Sequence, residues 1–475
     1  MHASTKTSKL KEFGIVGDAP TQPLTATPSK KKPRLFPLHM TSFEHYMFVD
    51  DRPAHPMTFV VQLHLSGQLD REAFTDAVEA SLTRHPLLTA IIGPGKGGKD
   101  CWLKAKDLKT FLDWGSLDDP MQFPNGEFID LRKETGLRIF VRHDGESAII
   151  TAQFHHATCD GIGSYQYLGD LLFEYAIRTG ASELPPLAEL PFKRLKDRGR
   201  ISYDMNNFRT PDGKLQKTWG EALKFMRMSN VALKPEQKKE AKFRADFPSI
   251  ESFEFDKAQY KALRHAAQEN GQIINDMLLE KLFQTLSQWE SKSSRFSQRR
   301  HVCVMMPMNL REPTDNDISA CNAVSQSFVR YHRNDLKDSK AFRSALGNEV
   351  LKLKHDRARI PFMHMMAGGH YFYPKTLKFC LDFKKCLATA ILSNTGDPTK
   401  QFLTNFPKEG GQLRCGNLLL TDVAGVPPMR PGTNATISIF TYKRLLKICV
   451  RCDPNQFSKE DTRQLLEMYV DNIRE

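Results

Sequence analysis

Ser147 to Phe154 is an apolar run of strand length, and it leads without a break into His155-His156-Ala157-Thr158-Cys159-Asp160-Gly161. Beyond it Ile162, Tyr165, Leu168, Leu171, Leu172 and Tyr175 recur at helical spacing, which predicts a helix over Gly161 to Arg178. A strand that turns directly into a helix belongs to α/β architecture and holds the intervening side chains at the rim of a sheet, a common place for catalytic groups. Adjacent histidines on a strand that runs through them point to opposite faces, so only one of His155 and His156 can enter a given cleft. That weakens a metal reading, because zinc needs two ligands on one side and a third nearby. Asp160 follows after a short turn, and the absent Cβ of Gly161 lets the backbone pass close to a partner or ligand.

The same alternation of strand and helix patterns runs from Phe36 onward. Thr58 to Leu65 alternates β-branched and polar residues as a strand does, Ser66-Gly67 makes a turn, and Asp70 stands where an N-cap would before the amphipathic segment Ala73 to Arg84. His85-Pro86 ends that helix. Leu87 to Ile92, Asp100 to Leu103 and Leu137 to His143 read as strands, with Gly93 to Lys99 as a hairpin loop. The loop lacks the Gly-Lys-Ser/Thr ending and following helix of a phosphate cradle. Further on, Ser252 to Phe255 is a short strand and Lys257 to Glu269 a helix, and Asn275 is placed to cap a helix over Met277 to Trp289. A basic loop, Ser291 to Arg300, precedes strands at His301 to Pro307 and Asn322 to Phe328. Leu387 to Leu392 ends in Ser393-Asn394-Thr395-Gly396. Asn434 to Thr441 and Leu445 to Cys452 form a hairpin-like pair, and Lys459 to Ile473 is a closing helix.

At 475 residues, 40% hydrophobic and 26% charged, the chain is globular and large enough for two domains or one double domain. We divide it into a disordered basic tail (1–35), an N-terminal half (36–190), a crossover linker (191–235) and a C-terminal half (236–475). The tail carries Lys6, Lys9, Lys11, Lys30, Lys31, Lys32 and Arg34 against Glu12 and Asp18, and lacks hydrophobic periodicity. A formal charge of +13 favours anionic partners. No aromatic residues interleave with the tail lysines as a stacking surface requires, so nucleic acid is not expected as a partner. No stretch reaches the ~18 to 20 apolar residues of a membrane span. Peripheral membrane contact stays open. Nine cysteines at irregular spacing suit reduced thiols and a cytoplasmic address, and no secretory signal is visible. Cys449 and Cys452 read as unpaired core thiols, no metal is expected, and Cys159 has no evident base to activate it.

His-His-x-x-x-Asp-Gly at a strand-to-helix junction resembles the signature of the chloramphenicol acetyltransferase-like acyltransferases, which include condensation domains, wax ester synthases and plant acyltransferases. Other segments extend the resemblance from about residue 38 to the C-terminus. Pro37-Leu38 through Phe43, Pro56-Met57 and the run to His85-Pro86 look like the opening of condensation domains and wax ester synthases. Asn275-Asp276-Met277-Leu278-Leu279 is similar to their Asn-Asp-x-x-Leu helix start, Pro307 to Arg311 to their Pro-x-x-x-Arg strand end, and Asn322 to the position after it. Ser393-Asn394-Thr395-Gly396 is similar to the Ser-Asn-x-x-Gly element of wax ester synthases. The Asp-Phe-Gly-Trp-Gly motif of the plant branch is missing.

The resemblance implies an α/β (α+β) fold of two halves forming a V-shaped pseudo-dimer with a central tunnel. It implies an acyltransferase that moves an acyl group from a thioester to an acceptor hydroxyl or amine. His155, His156, Asp160 and Gly161 form the catalytic motif, with His156 as general base. Asp160 pairs with Arg311 in a structural salt bridge, and Ser393 and Asn394 are candidates for binding the oxyanion or the acceptor. His39, His45 and His55 either line the tunnel or pack elsewhere. Met305, Met306, Met308, Met363, Met365 and Met366 serve as tunnel lining or as core. No cofactor is bound permanently. The co-substrate is acyl-CoA, favoured by the basic charge, or an acyl-phosphopantetheine on a carrier protein, and the enzyme is a monomer acting on a small-molecule acceptor. A non-catalytic carrier-binding member of the fold is the alternative from a different class.

Overall fold

A computed structural model describes residues 34–202, 230–235, 247–291, 301–355, 361–372, 378, 381 and 386–475. The tail lies outside the described residues except for Arg34 and Leu35, as do most of the linker and the basic loop after Ser291. In chain order the elements are β1 (Leu38–His39), α1 (Ser42–Val49), β2 (Thr58–Ser66), α2 (Arg71–Leu82), β3 (Ala90–Pro94), β4 (Asp100–Lys104), β5 (Phe111–Ser116), β6 (Pro124–Glu127), β7 (Leu137–His143), β8 (Ser147–His155), α3 (Gly161–Arg178) and α4 (Arg194–Ser202). They continue with β9 (Glu251–Phe255), α5 (Lys257–Glu269), α6 (Ile274–Ser291), β10 (His301–Asn309), β11 (Val324–His332), α7 (Ser339–His355), α8 (Pro361–Phe372), β12 (Ala390–Gly396), β13 (Lys408–Glu409), β14 (Gln412–Cys415), β15 (Leu418–Val426), β16 (Ala435–Tyr442), β17 (Leu445–Cys452) and α9 (Lys459–Arg474).

Two mixed sheets organise the chain. The first has the order β13-β14-β15-β2-β8-β7-β5, the second β11-β10-β12-β16-β17-β9, and a small sheet β1-β4-β3 stands apart. Helix α2 packs on α3 over the first sheet. Its buried residues Phe74, Ala77, Val78, Ser81 and Leu82 follow the i, i+3, i+4 stripe of an amphipathic helix, and Asp70 caps it by accepting from Ala73 N at 2.8 Å. The second sheet is covered by α6 and α9, and its core runs through Leu282, Phe283, Leu286, Ile437, Ile439 and Leu466. A third apolar cluster joins α1 and α8 to residues of both halves, with Phe43, Tyr46 and Met47 beside Ile318, Phe362 and Met366.

Lys408 to Val426 falls within the 236–475 segment, yet β13, β14 and β15 extend the first sheet rather than the second. The reason is local packing. β15 pairs antiparallel with β2 from Leu419↔Ser66 to Val426↔Val60, and a Cβ on Gly425 would stand 2.4 Å from the Val60 carbonyl oxygen, so only glycine permits the approach. Phe402, also from the later part of the chain, lies against Gly169 of α3, where a Cβ would meet its backbone at 3.0 Å.

Two local expectations differ from the structure. Asn275 sits inside the first turn of α6, which begins at Ile274, so it does not cap that helix from outside. Ser393-Asn394-Thr395-Gly396 does not follow the strand but belongs to β12, paired in parallel with β16.

Candidate active site

Strand β8 delivers the motif. His155 is its last residue, opposite Thr58 of β2, and the ladder extends one step further where His156 N donates to Met57 O at 2.7 Å. The chain then turns on Thr158, whose N and Oγ1 both donate to the His155 carbonyl, at 2.9 and 2.7 Å. Asp160 caps α3, its Oδ1 accepting from Gly163 N at 2.9 Å. Strand alternation separates the two histidines as the sequence requires.

His155 is wholly buried. Its Nδ1 accepts from Ala157 N at 3.0 Å, which leaves the proton on Nε2, 3.1 Å from Asp51 Oδ2. Asp51 in turn accepts from Met57 N at 2.7 Å. His155 therefore holds the turn and does not reach the cavity. His156 faces the other way and forms part of the cavity wall, with the edges of Phe43 and Phe59 at ring-centroid distances of 5.8 and 5.2 Å. Its Nδ1 is buried without a well-formed hydrogen bond. Burial pushes the imidazole below its ordinary value of 6.5, against the pull of its own carbonyl, the Asp160 carboxylate and the Asn322 amide.

Asp160 meets the loop between β10 and β11. Its Oδ2 accepts from Arg311 Nη1 and from Ala323 N, both at 2.8 Å, and Arg311 Nη2 donates to the Cys321 carbonyl at 2.9 Å. Burial raises the carboxyl, but the Arg311 charge and the donors from Arg311, Ala323 and Gly163 outweigh it and hold Asp160 below the usual aspartate value. Asn322 completes the clamp, its Nδ2 donating to the carbonyls of His156 at 2.8 Å and Ala157 at 3.0 Å. Burial drives the Cys159 thiol well up, so it stays protonated and inert.

The cavity has a volume of about 110 Å³. One wall is α1 and β2, including Phe43, Tyr46 and Phe59; the other is the face of the second sheet, including Met305, Phe328 and Ile391. Gly161 lines it too, and a Cβ there would meet only the Tyr165 ring, at 4.0 Å. Ser393 points into the cavity, as do Ile391 and Thr395 two residues away on either side. Asn394 lies on the opposite face, where its Nδ2 donates to Asn275 Oδ1 at 2.6 Å.

Solved structures share this arrangement of the chain as a fold. Trichothecene 15-O-acetyltransferase from Fusarium sporotrichioides superposes with a TM-score of 0.66 at 11% identity, over 92% of this chain and 94% of that one. The first condensation domain of the calcium-dependent antibiotic synthetase gives 0.63 at 12%, over 92% and 95%. The starter condensation domain of rhizomide synthetase, in complex with C8-CoA, gives 0.62 at 12%, over 92% and 94%. The chain has the condensation-domain fold. No family model matches the sequence, and no curated protein sequence matches it.

Within the condensation-domain fold, the structure brings together His156, Asp160, Gly161, Arg311 and Ser393, and leaves Asn394 outside the cavity. His55 bonds to Asp453 at 3.4 Å, and His45 packs on His370 at 4.8 Å between ring centroids; neither they nor His39 line the cavity. Of the six methionines singled out, only Met305 does, while Met306 turns to the core behind the sheet. The eight described cysteines are all free. Among the described residues no cluster of three or more ligands could hold a metal, and no helix is long and apolar enough to cross a membrane. Sequence reasoning missed Asp51 and Gly163. Asp51 carries no signal at 104 residues from its partner. Gly163 carried one, a glycine two residues into a helix.

Proposed function

We propose that the protein is an acyltransferase that moves an acyl group from a thioester to an acceptor hydroxyl or amine, with His156 as general base. The observation that carries this reading is the placement of His156: a neutral imidazole on the cavity wall, its backbone clamped from the other half by Asn322. With Nδ1 buried, Nε2 is the nitrogen left to accept a proton. As the acceptor heteroatom attacks the thioester carbonyl, its proton passes to Nε2 and a new acyl bond forms. The carbon–sulfur bond then breaks, and the departing thiolate recovers the proton from the imidazolium. No covalent nucleophile is needed, because the thioester is already activated. His155, Asp160 and Arg311 are positioning residues, and Gly161 keeps the wall low.

Acyl-CoA is the favoured donor, supported by the basic charge and by the C8-CoA complex of the rhizomide synthetase domain. A carrier-bound acyl-phosphopantetheine presents the same thioester. The test is thiol release from a panel of acyl-CoA donors with mixed acceptors, comparing wild type with His156→Ala at matched folding. We expect acceptor-dependent release that falls by about 10² to 10⁴ in the mutant. Equal activity in the mutant overturns the role of His156. No release with any CoA donor, from folded protein, moves the assignment to a carrier-bound donor.

A further inference from the structure

The polar groups on the cavity wall can be accounted for one by one. Among the described residues that line the cavity, only Asp160 and Arg430 carry a net charge at neutral pH, and both are paired. Asp160 is held by Arg311, and Arg430 donates through Nε to Asp50 Oδ2 at 2.9 Å. Tyr165 donates its hydroxyl to Thr395 at 3.4 Å, Thr395 bonds to the Ile439 carbonyl, and Thr433 to that of Ala388. Among the described residues three side chains remain that face the space with no partner: Ser393, Ser438 and Gln326, of which Ser438 and Gln326 are 4% and 6% exposed. Ser393 and Ser438 stand directly opposite each other on the parallel strands β12 and β16. The rest of the lining is apolar, from Phe43, Phe59, Met305, Phe328 and Phe440 among others.

We infer that this cavity is built for an uncharged, largely apolar alcohol, whose further polar atoms are met by Ser393, Ser438 and Gln326. The inference rests on the acyl-transfer reading and deepens it by choosing oxygen over nitrogen. A polar side chain that faces the cavity loses its contact with water when an apolar ligand fills the space, a penalty that a ligand's hydroxyl, ether or carbonyl oxygen removes. A charged ligand meets the reverse situation. Among the described residues of the lining there is no unpaired carboxylate to receive an ammonium ion and no unpaired cation to receive a carboxylate, so either would enter a low-dielectric space uncompensated. An aliphatic amine can enter only in its neutral form, which at pH 7 is about one molecule in 2,500 for an ordinary value near 10.4.

The experiment uses the full-length protein and isosteric ligands: borneol with bornylamine, and 1-octanol with octylamine. Calorimetric titration gives their dissociation constants from pH 6 to 9, and thiol release is followed on the same samples with octanoyl-CoA. We expect each alcohol to bind at least about a hundredfold more tightly than its amine at pH 7. The amine's affinity should improve about tenfold per pH unit while the alcohol's stays flat. Ser438→Asp, which places a carboxylate on the wall, should narrow or reverse the preference. Amine binding as tight as alcohol binding at pH 7, or no binding of either alcohol, overturns the inference. The two readings fail separately. Selective alcohol binding without thiol release from any donor refutes acyl transfer alone, and equal turnover of amines at pH 7 refutes the charge argument alone.

Discussion

Replacing Arg311 by methionine removes a charge from a site where both partners' side chains are 5% exposed, and the consequence can be worked from the contacts. Breaking a buried pair by deleting one partner costs about 3 to 5 kcal/mol, because the other charge is left uncompensated. Asp160 keeps two backbone donors, Gly163 N and Ala323 N, which points to the lower end of that range. Against this, the Cys321 carbonyl loses the Arg311 Nη2 bond and adds about 1 kcal/mol. The expected loss is therefore about 4 kcal/mol. Urea denaturation followed by tryptophan fluorescence is suited to the measurement, since Trp102 and Trp289 are buried in different halves. The pH dependence has a definite sign. Asp160 is depressed below its ordinary value of 3.8, so its contribution is complete above that pH and is lost as the pH falls through the lower folded value. The gap between wild type and variant should be constant at neutral pH and shrink in acid. A loss under 1 kcal/mol, or a gap that widens on acidification, would refute the argument.

Four further outcomes follow from the same site. Gly163→Ala would put a Cβ 3.0 Å from the backbone N and O of Cys321 and should cost about 1 to 3 kcal/mol, whereas Gly161→Ala should leave the denaturation midpoint unchanged and raise KM for bulky acceptors. Asn322→Ala strips hydrogen bonds from two carbonyls beside the base, and should cost about 1 to 3 kcal/mol and lower kcat more than it raises KM. The acid limb of kcat/KM should lie below pH 6.5, because burial keeps His156 neutral to lower pH and only the neutral ring can take the proton; a limb above 6.5 would count against it.

Much of the fold was legible because its elements carry apolar residues at regular spacing over their whole length. The helix expected over Gly161 to Arg178 is α3, and the strand expected over Leu137 to His143 is β7. Ser393-Asn394-Thr395-Gly396 resembled a turn because its residues are small and polar. They are tolerated in a strand because one face lines a cavity and the other reaches α6. Helices α7 and α8 were passed over. Apolar spacing in α7 is interrupted by Gly347, Asn348 and Glu349, and in α8 apolar residues surround the helix without a stripe. In the site, the motif revealed His156 and Asp160 because their spacing is local, and Arg311 came from resemblance. Which histidine faces the cavity follows from strand alternation only once Asp51 is known to hold the other.

The placement of β15 also bears on how the protein is made. Until residue 426 has left the ribosome, β2 has no partner on one side, and Val60, Val61, Leu63 and Leu65 border an open edge of unpaired backbone. Such an edge can recruit a neighbouring nascent chain as readily as its own distant strand. The early part of the chain thus cannot finish folding while it is being synthesised, and a fragment ending before Leu418 would be poorly soluble rather than merely inactive.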